Sequence, residues 1–351
     1  MACVLFSQPL CAQKASDPQF RVKIEFNRWH DVPELYADMK RLVKANPKFL
    51  SMESIGKSHN GLDIMVMTIN NPDTGHESDK AAMYIEANIH GNEIQGGEVC
   101  LYTIWYLMEQ YGRIENITRL VDERVFYIVP SVNPDGHQYF MEGEGGGARS
   151  GHVPVDNDND GLYDEDGPND LNGNGVIEQI RKYVLGKGTH RISHLDKRII
   201  ETVPFDEKGD YILLGYEGID DDNDGRINED GPGGYDQNRN WGSDWQPTYV
   251  QYGAMEYPFQ LPEARTVNDF LMAHPNIAGV QSFHNHGGMI LRGPGAEWQG
   301  EYPPGDVRVY DEIGKNGERM LPFYRYVVTW SGLYTLHGGF IDWTNDGLGI
   351  I

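Results

Sequence analysis

Short apolar runs alternate with stretches of helical spacing along this chain, and that alternation confines it to an α/β architecture. The runs at 62–69, 82–89, 125–130 and 277–283 have the length of buried strands. Leu35, Met39, Leu42 and Val43 recur at helical intervals over 32–46, with Pro47 closing the segment, which predicts an amphipathic surface helix. Over 94–111, Val99, Leu101, Tyr102, Ile104, Trp105 and Met108 crowd too densely for one exposed stripe, so this helix is expected to be largely buried. A further helix is expected over 262–273. Residues 143–234 break the pattern, being rich in Gly and Asp with little periodicity.

For 351 residues, one α/β domain over 21–351 with an insertion at 143–234 is the simplest organisation. No run approaches the roughly 18 apolar residues that a membrane span needs. The formal charge of −24 sets nucleic acid aside as a partner, because that binding runs on Lys and Arg neutralising phosphates. Much of the charge is concentrated at 156–170 and 220–230, and local acid clusters point to cations. Cys3 and Cys11 lie at the extreme N-terminus, leaving Cys100 as a small buried hydrophobe rather than part of a disulfide framework. Residues 1–20 read as the remnant of a secretion signal or as a disordered tail, with secretion or a periplasmic location the expectation.

The segment His90-Gly-Asn-Glu93 follows a predicted strand and opens a predicted helix, so two ligands of the kind zinc accepts leave one strand end together. Alone, such a pair is weak evidence and reads more readily as a satisfied structural histidine. A second run, Ser282-Phe-His284-Asn-His286, leaves another predicted strand, and His284 is the first side chain placed to reach the same sheet edge. Being two places on, His286 can also face the metal. Three protein ligands plus water make a catalytic rather than a structural site.

Further along the chain stand Asn133-Pro-Asp-Gly136, Arg149, Asp236-Gln-Asn238-Arg239-Asn-Trp241, Tyr334 and Gly338-Gly-Phe-Ile341-Asp342-Trp343. With the histidine motifs, this ordered set resembles the zinc metallocarboxypeptidases of the funnelin type, family M14, over about 82–343. The resemblance implies a mixed, mostly parallel central sheet with helices on both faces, and hydrolysis of C-terminal residues from peptides or cell-wall peptides. It implies that His90, Glu93 and His284 hold zinc and that Asp236 orients the first histidine. Asn238 and Arg239 would grip the substrate's terminal carboxylate, a task suited to the planar guanidinium fork. Arg149 would stabilise the oxyanion, its alternative being a solvated loop arginine. Tyr334 would close over bound peptide, its alternative being a packed core tyrosine. Ile341 stands where the family sets its preference for the released side chain, and an apolar residue there implies aliphatic or aromatic C-termini.

In the family, the glutamate that deprotonates the attacking water lies on a strand beyond the Ile-Asp-Trp motif, whereas this sequence ends at Ile351 with Asp346 its only later acid. The expectation is a chain truncated before its general base, impaired in turnover and lacking cover on one sheet edge. A metal-stabilised peptide-binding module without catalysis is the alternative.

One motif recurs inside the insertion: Asp156-Asn-Asp-Asn-Asp-Gly-Leu-Tyr-Asp-Glu-Asp-Gly-Pro and Asp220-Asp-Asp-Asn-Asp-Gly-Arg-Ile-Asn-Glu-Asp-Gly-Pro. Carboxylates at alternate positions before a glycine turn are how calcium loops gather oxygen ligands. This nominates Asp156, Asp158, Asp160 and Asp166, then Asp220, Asp222, Asp224 and Asp230, as calcium ligands. Asp170, Asn172 and Asn174 offer a third, less acidic loop. Gly167 and Gly231 occupy the twelfth positions, where an EF-hand carries glutamate. A solvated acidic loop is the alternative, and like charges this close repel unless neutralised. The segment is expected to be structureless until calcium stiffens it.

Overall fold

The computed structural model describes residues 20–142 and 149–351. Of the N-terminal stretch 1–20, only Phe20 lies within the described residues, and Cys3 and Cys11 lie outside them. In chain order, α1 (Val32–Ala45), β1 (Leu50–Lys57), β2 (Asp63–Ile69), β3 (Ala82–Ala87), α2 (Gln95–Gln110), α3 (Glu115–Glu123), β4 (Val125–Val129) and α4 (Pro134–Glu142) precede the insertion. Within it lie β5 (Gln179–Gly188), β6 (His190–Ile192), β7 (Ile200–Thr202) and β8 (Gly209–Tyr216). After it come α5 (Pro262–Ala273), β9 (Ile277–Phe283), β10 (Met289–Arg292), α6 (Pro304–Met320) and β11 (Arg325–Val328).

The central sheet has the order β1-β2-β4-β3-β9. It is mixed, as expected, but not mostly parallel: β3 pairs in parallel with β4 and β9, while β2 pairs antiparallel with β1 and β4. The middle strand β4 is buried along its whole length. Side chains alternate between the two faces, as the pleat requires. Ile85 and Ala87 meet Leu35, Met39, Cys100, Leu101 and Trp105 of α1 and α2 on one side. On the other, Tyr84 meets Val267, Phe270 and Leu271 of α5 together with Trp241 and Phe340. Helices therefore cover both faces, and each such fully buried side chain contributes about 1.5–3 kcal/mol. At the outer edge of β9, Val280 N–H donates to the Ile351 carbonyl (2.8 Å).

α1 begins on a reciprocal cap. Asp31 accepts from Glu34 N–H (2.8 Å) and Glu34 accepts from Asp31 N–H (3.3 Å), which satisfies two backbone donors the helix cannot use internally. α2 is less buried than its composition predicts. Val99 and Tyr102 are both 44% exposed, because the apolar residues wrap past the stripe that faces the sheet. Its first turn packs against the strand ends through Gly96, where an added Cβ would lie 2.8 Å from those of both Ala87 and Phe283. That close approach brings the start of α2 onto the ends of β3 and β9.

The insertion is not structureless. Strands β5, β8, β6 and β7 form a four-stranded antiparallel sheet. Its side chains are largely exposed, Tyr183 at 60% and Leu185 at 69% among them, so the strands lack the apolar alternation by which a half-buried strand is recognised. No helix among the described residues is long and apolar enough to cross a membrane.

Candidate metal centre

Ligands meet here because β3 and β9 are parallel neighbours, with Ala87 opposite Phe283. Both strands therefore deliver their succeeding residues to the same carboxyl edge, the usual place for a site in an open α/β sheet. After β3, Asn88 adopts a left-handed backbone (φ 61°). Its side-chain amide donates to the carbonyls of His90 and Gly91 (2.9 Å each) and its oxygen accepts from Ser131 Oγ (2.8 Å). The chain then turns, Glu93 N–H donating to the His90 carbonyl (3.0 Å), so that both side chains face one point. His284 directly follows the end of β9.

His90, Glu93 and His284 converge. Their donor atoms all lie within 4.8 Å of one another: His90 Nδ1 is 3.0 Å from Glu93 Oε1, His284 Nδ1 is 2.8 Å from Glu93 Oε2, and the two Nδ1 atoms are 3.2 Å apart. The exposed His286, with φ 87°, does not belong to this group of three, so His284 is the histidine brought in. Asn285 N–H donates to Glu93 Oε2 (3.1 Å), a positioning contact that no sequence pattern signals.

Asp236 supports the group from behind. As an ionised carboxylate it only accepts, so His90 Nε2–H donates to its Oδ1 (2.9 Å), leaving Nδ1 turned to the centre with its lone pair free. The same Oδ1 accepts from Asn238 N–H (2.8 Å), and Oδ2 accepts from Arg149 Nη2 (2.9 Å) and Nε (3.2 Å). Against the opposing effect of burial, His90 first and then Arg239 and Arg149 hold the Asp236 carboxyl well below the usual range. Burial likewise opposes, and hydrogen bonds from His284 and His90 outweigh it, in lowering Glu93. Burial lowers His284 and so favours the neutral ring. For His90, burial acts to lower the value, but Asp236 and Glu93 prevail and raise it.

Two imidazoles and one carboxylate, one ring tethered by a second carboxylate, form a donor set that suits zinc. The gathering of three lone-pair donors without a proton for every contact is what a divalent ion at their centre would relieve.

Arg149 is 42% exposed at its side chain yet fixed by two carboxylates, its Nη1 donating to Glu93 Oε1 (3.3 Å). Its backbone is pinned too, Gly91 N–H donating to its carbonyl (2.9 Å). Arg239 is buried, 4.0 Å from Asp236 Oδ2, with Nη2 donating to Tyr334 OH (3.3 Å). Tyr334 is 49% exposed, a placement unlike a packed core tyrosine. Asn238 Nδ2 lies 3.3 Å from His284 Nε2, and Asn238 Oδ1 accepts from Phe340 N–H (2.8 Å). That bond ties Asn238 to the segment carrying Ile341, which is partly buried against the core.

The family model described as zinc carboxypeptidase matches residues 35–172 and 214–351. The chain belongs to the zinc carboxypeptidase family. The stretch between the matched parts holds most of the inserted sheet. Carboxypeptidase D of Drosophila melanogaster is 30% identical over 151 residues, 40% of this chain and 11% of that protein. Carboxypeptidase M of Mus musculus is 32% identical over 111 residues, 32% of this chain and 25% of that protein. The chain thus spans a minor part of the curated relatives it matches. Among solved structures, the match to thrombin activatable fibrinolysis inhibitor (18% identity, TM-score 0.62) covers 97% of this chain and 70% of that one. The match to carboxypeptidase A from Helicoverpa armigera (19% identity, TM-score 0.61) covers 94% and 65%. At these identities they show a shared fold.

In the acidic loops the first carboxylate accepts from backbone N–H groups of the following turn. Asp156 accepts from the N–H groups of Asn159, Asp160 and Gly161, and Asp220 accepts from Gly225 N–H. Asp170 does the same for Gly173, Asn174 and Gly175, while Asn172 and Asn174 donate to Glu178. Glu165 and Glu229, outside the alternating carboxylates of the repeat, each stand in a carboxylate cluster with Asp158. Their recurrence at one position of the repeat was the signal available.

Proposed function

We propose that this chain is a zinc-dependent metallocarboxypeptidase acting on peptides or cell-wall peptides. The observation that carries the reading is the convergence of His90, Glu93 and His284 beside the buried guanidinium of Arg239. When bound, zinc supplies Lewis acidity toward the scissile carbonyl and toward water. Arg239, with Asn238, receives the terminal carboxylate. Its buried fork is already desolvated and oriented, so little further ordering is needed. Arg149 presents fixed positive charge toward the reacting carbonyl, and Tyr334 covers the bound residue from its exposed position beside Arg239. Asp236 holds the His90 proton on Nε2 and so keeps Nδ1 available.

Ile341 favours aliphatic or aromatic C-terminal residues. Both carboxylates at the centre are committed, Glu93 to His90, His284 and Arg149, and Asp236 to His90, Arg149 and Asn238. Neither is free to take a proton from water, so the chain is expected to turn over slowly, general-base help being worth roughly 10²–10⁴ in rate. That same commitment favours a second reading, a peptide-binding module that keeps the clamp without turnover.

Residues 21–351 form the carboxypeptidase-like domain, with 143–234 inserted. Structural calcium sits at Asp156, Asp158, Asp160 and Asp166, at Asp220, Asp222, Asp224 and Asp230, and at Asp170, Asn172 and Asn174. A calcium requirement suits secretion or the periplasm.

Zinc-loaded residues 1–351 are expected to hydrolyse hippuryl-Phe slowly and faster than hippuryl-Arg, with a chelator abolishing both. The reverse ranking would sink the apolar preference, and robust turnover would sink the impairment. Peptide binding with no hydrolysis would favour the second reading.

A further inference from the structure

We propose that the two acidic loops form one calcium clasp, built across the loops rather than within each, that locks the segments carrying Arg149 and Asp236 together. The proposal rests on reading these loops as calcium sites and adds how they share the ions. The loops are related by a local twofold. Asp166 and Asp230 pair in an antiparallel bridge, Asp166 N–H donating to the Asp230 carbonyl (3.2 Å). Asn157 N–H donates to Asp230 Oδ1 (3.1 Å), and the equivalent Asp221 N–H donates to Asp166 Oδ1 (3.3 Å). Each loop thus clamps the backbone of the other through its own last aspartate.

The carboxylates gather across this axis. Asp158 of the first loop lies with Asp224 and Glu229 of the second, and also with Glu165 and Asp230. Asp160 and Glu165 of the first lie with Asp222 of the second. In each group the oxygens are within 4.8 Å of one another.

An independent observation points to a ligand. Asp230 is wholly buried, and its Oδ2 has no hydrogen-bond partner. All four carboxylate oxygens of Glu165 and Glu229 are likewise shielded from solvent without a partner. Native proteins do not leave several anionic oxygens dry, adjacent and unpaired. Glu229 and Asp158 thus face each other, carboxylate to carboxylate, beside Asp224. A cation cancels this repulsion. An all-oxygen set of several carboxylates suits calcium, whereas magnesium demands near-ideal octahedral geometry and retains its waters.

The position gives the clasp a role. Beyond it, the inserted sheet leaves and returns through a neck where Glu217 N–H donates to the Glu178 carbonyl (2.9 Å) and Asn169 N–H to the Glu217 carbonyl (3.2 Å). On its other side, Ser150 Oγ donates to the Tyr235 carbonyl and Val153 N–H to Tyr235 OH (3.1 Å). Those bonds join the segment starting at Arg149 to the one entering Asp236. Closing the loops therefore fixes the Arg149–Asp236 ion pair behind the metal centre.

The test uses the full chain, stripped of metals, reloaded with one equivalent of zinc and titrated with calcium chloride by equilibrium dialysis. Glu165→Gln and Glu229→Gln are each expected to weaken calcium binding at least tenfold for ions of both loops. An unaffected class of sites in either single variant, other than the third-loop site that Asp170→Ala removes, would overturn the clasp and leave independent calcium loops standing. No calcium binding to the unaltered chain would overturn both readings, and equal binding of magnesium would overturn the choice of ion. Should a variant not fold, limited proteolysis of the unaltered chain serves. Calcium is expected to slow cleavage within 149–236 at least tenfold, and an unchanged rate would overturn the proposal.

Discussion

Replacing Arg239 by alanine is expected to raise the Kd for a blocked peptide ending in a free phenylalanine carboxylate by roughly 10²–10⁴-fold. Two charge-assisted hydrogen bonds are lost, each worth about 1.5–3 kcal/mol, and about 1.4 kcal/mol is tenfold in affinity. Arg239 is buried and already held by the Asn238 carbonyl (2.6 Å) and Tyr334, so little of that energy is spent on ordering it. Binding of the same peptide amidated at its C-terminus should change little, and zinc content should not change. Lysine should restore only part of the loss, since a point charge does not reproduce the fork. Calorimetric titration of both peptides checks this. Equal losses for acid and amide would show that Arg239 supports the fold rather than reads the carboxylate.

Replacing Asp236 by asparagine is expected to weaken zinc binding about 10–100-fold, the usual effect of losing a carboxylate behind a ligating histidine. The neutral amide can still accept from His90 Nε2 but no longer raises the basicity of the ring. It also releases Arg149, whose Nε and Nη2 both rest on Asp236 Oδ2. Competition against a chelating dye of known zinc affinity measures the effect. An unchanged zinc Kd would mean that the His90–Asp236 contact is incidental to the metal.

The parts of the fold legible in the sequence are those with a dry side. α5 and β9 fall where their residue patterns put them, over Pro262–Ala273 and Ile277–Phe283, and α1 ends one residue before the expected Asn46. α6 left no trace because its buried positions are only Gly314 and Gly317, which form no apolar stripe. The inserted sheet left none because its exposed faces carry no alternation. At the centre, His90, Glu93 and His284 were legible since each follows an apolar run that folds as a strand, and their neighbours in space are set by the parallel pairing of β3 with β9. Asn88 and Asn285 were not, because they act through a backbone turn and a backbone N–H that no residue pattern encodes. The acidic repeat was visible, with Glu165 and Glu229 recurring in it, but the contacts between its copies bring together residues far apart in sequence and no residue pattern encodes them.

The central claim is that His90, Glu93 and His284 share one zinc ion. Anomalous diffraction at the zinc edge, from crystals of the zinc-loaded chain, tests it most directly. The expected result is one peak at about 2.0–2.2 Å from both histidine Nδ1 atoms and the Glu93 carboxylate, absent in crystals of the His284→Ala variant. A peak held by His286 instead, or none at these three side chains, would contradict it.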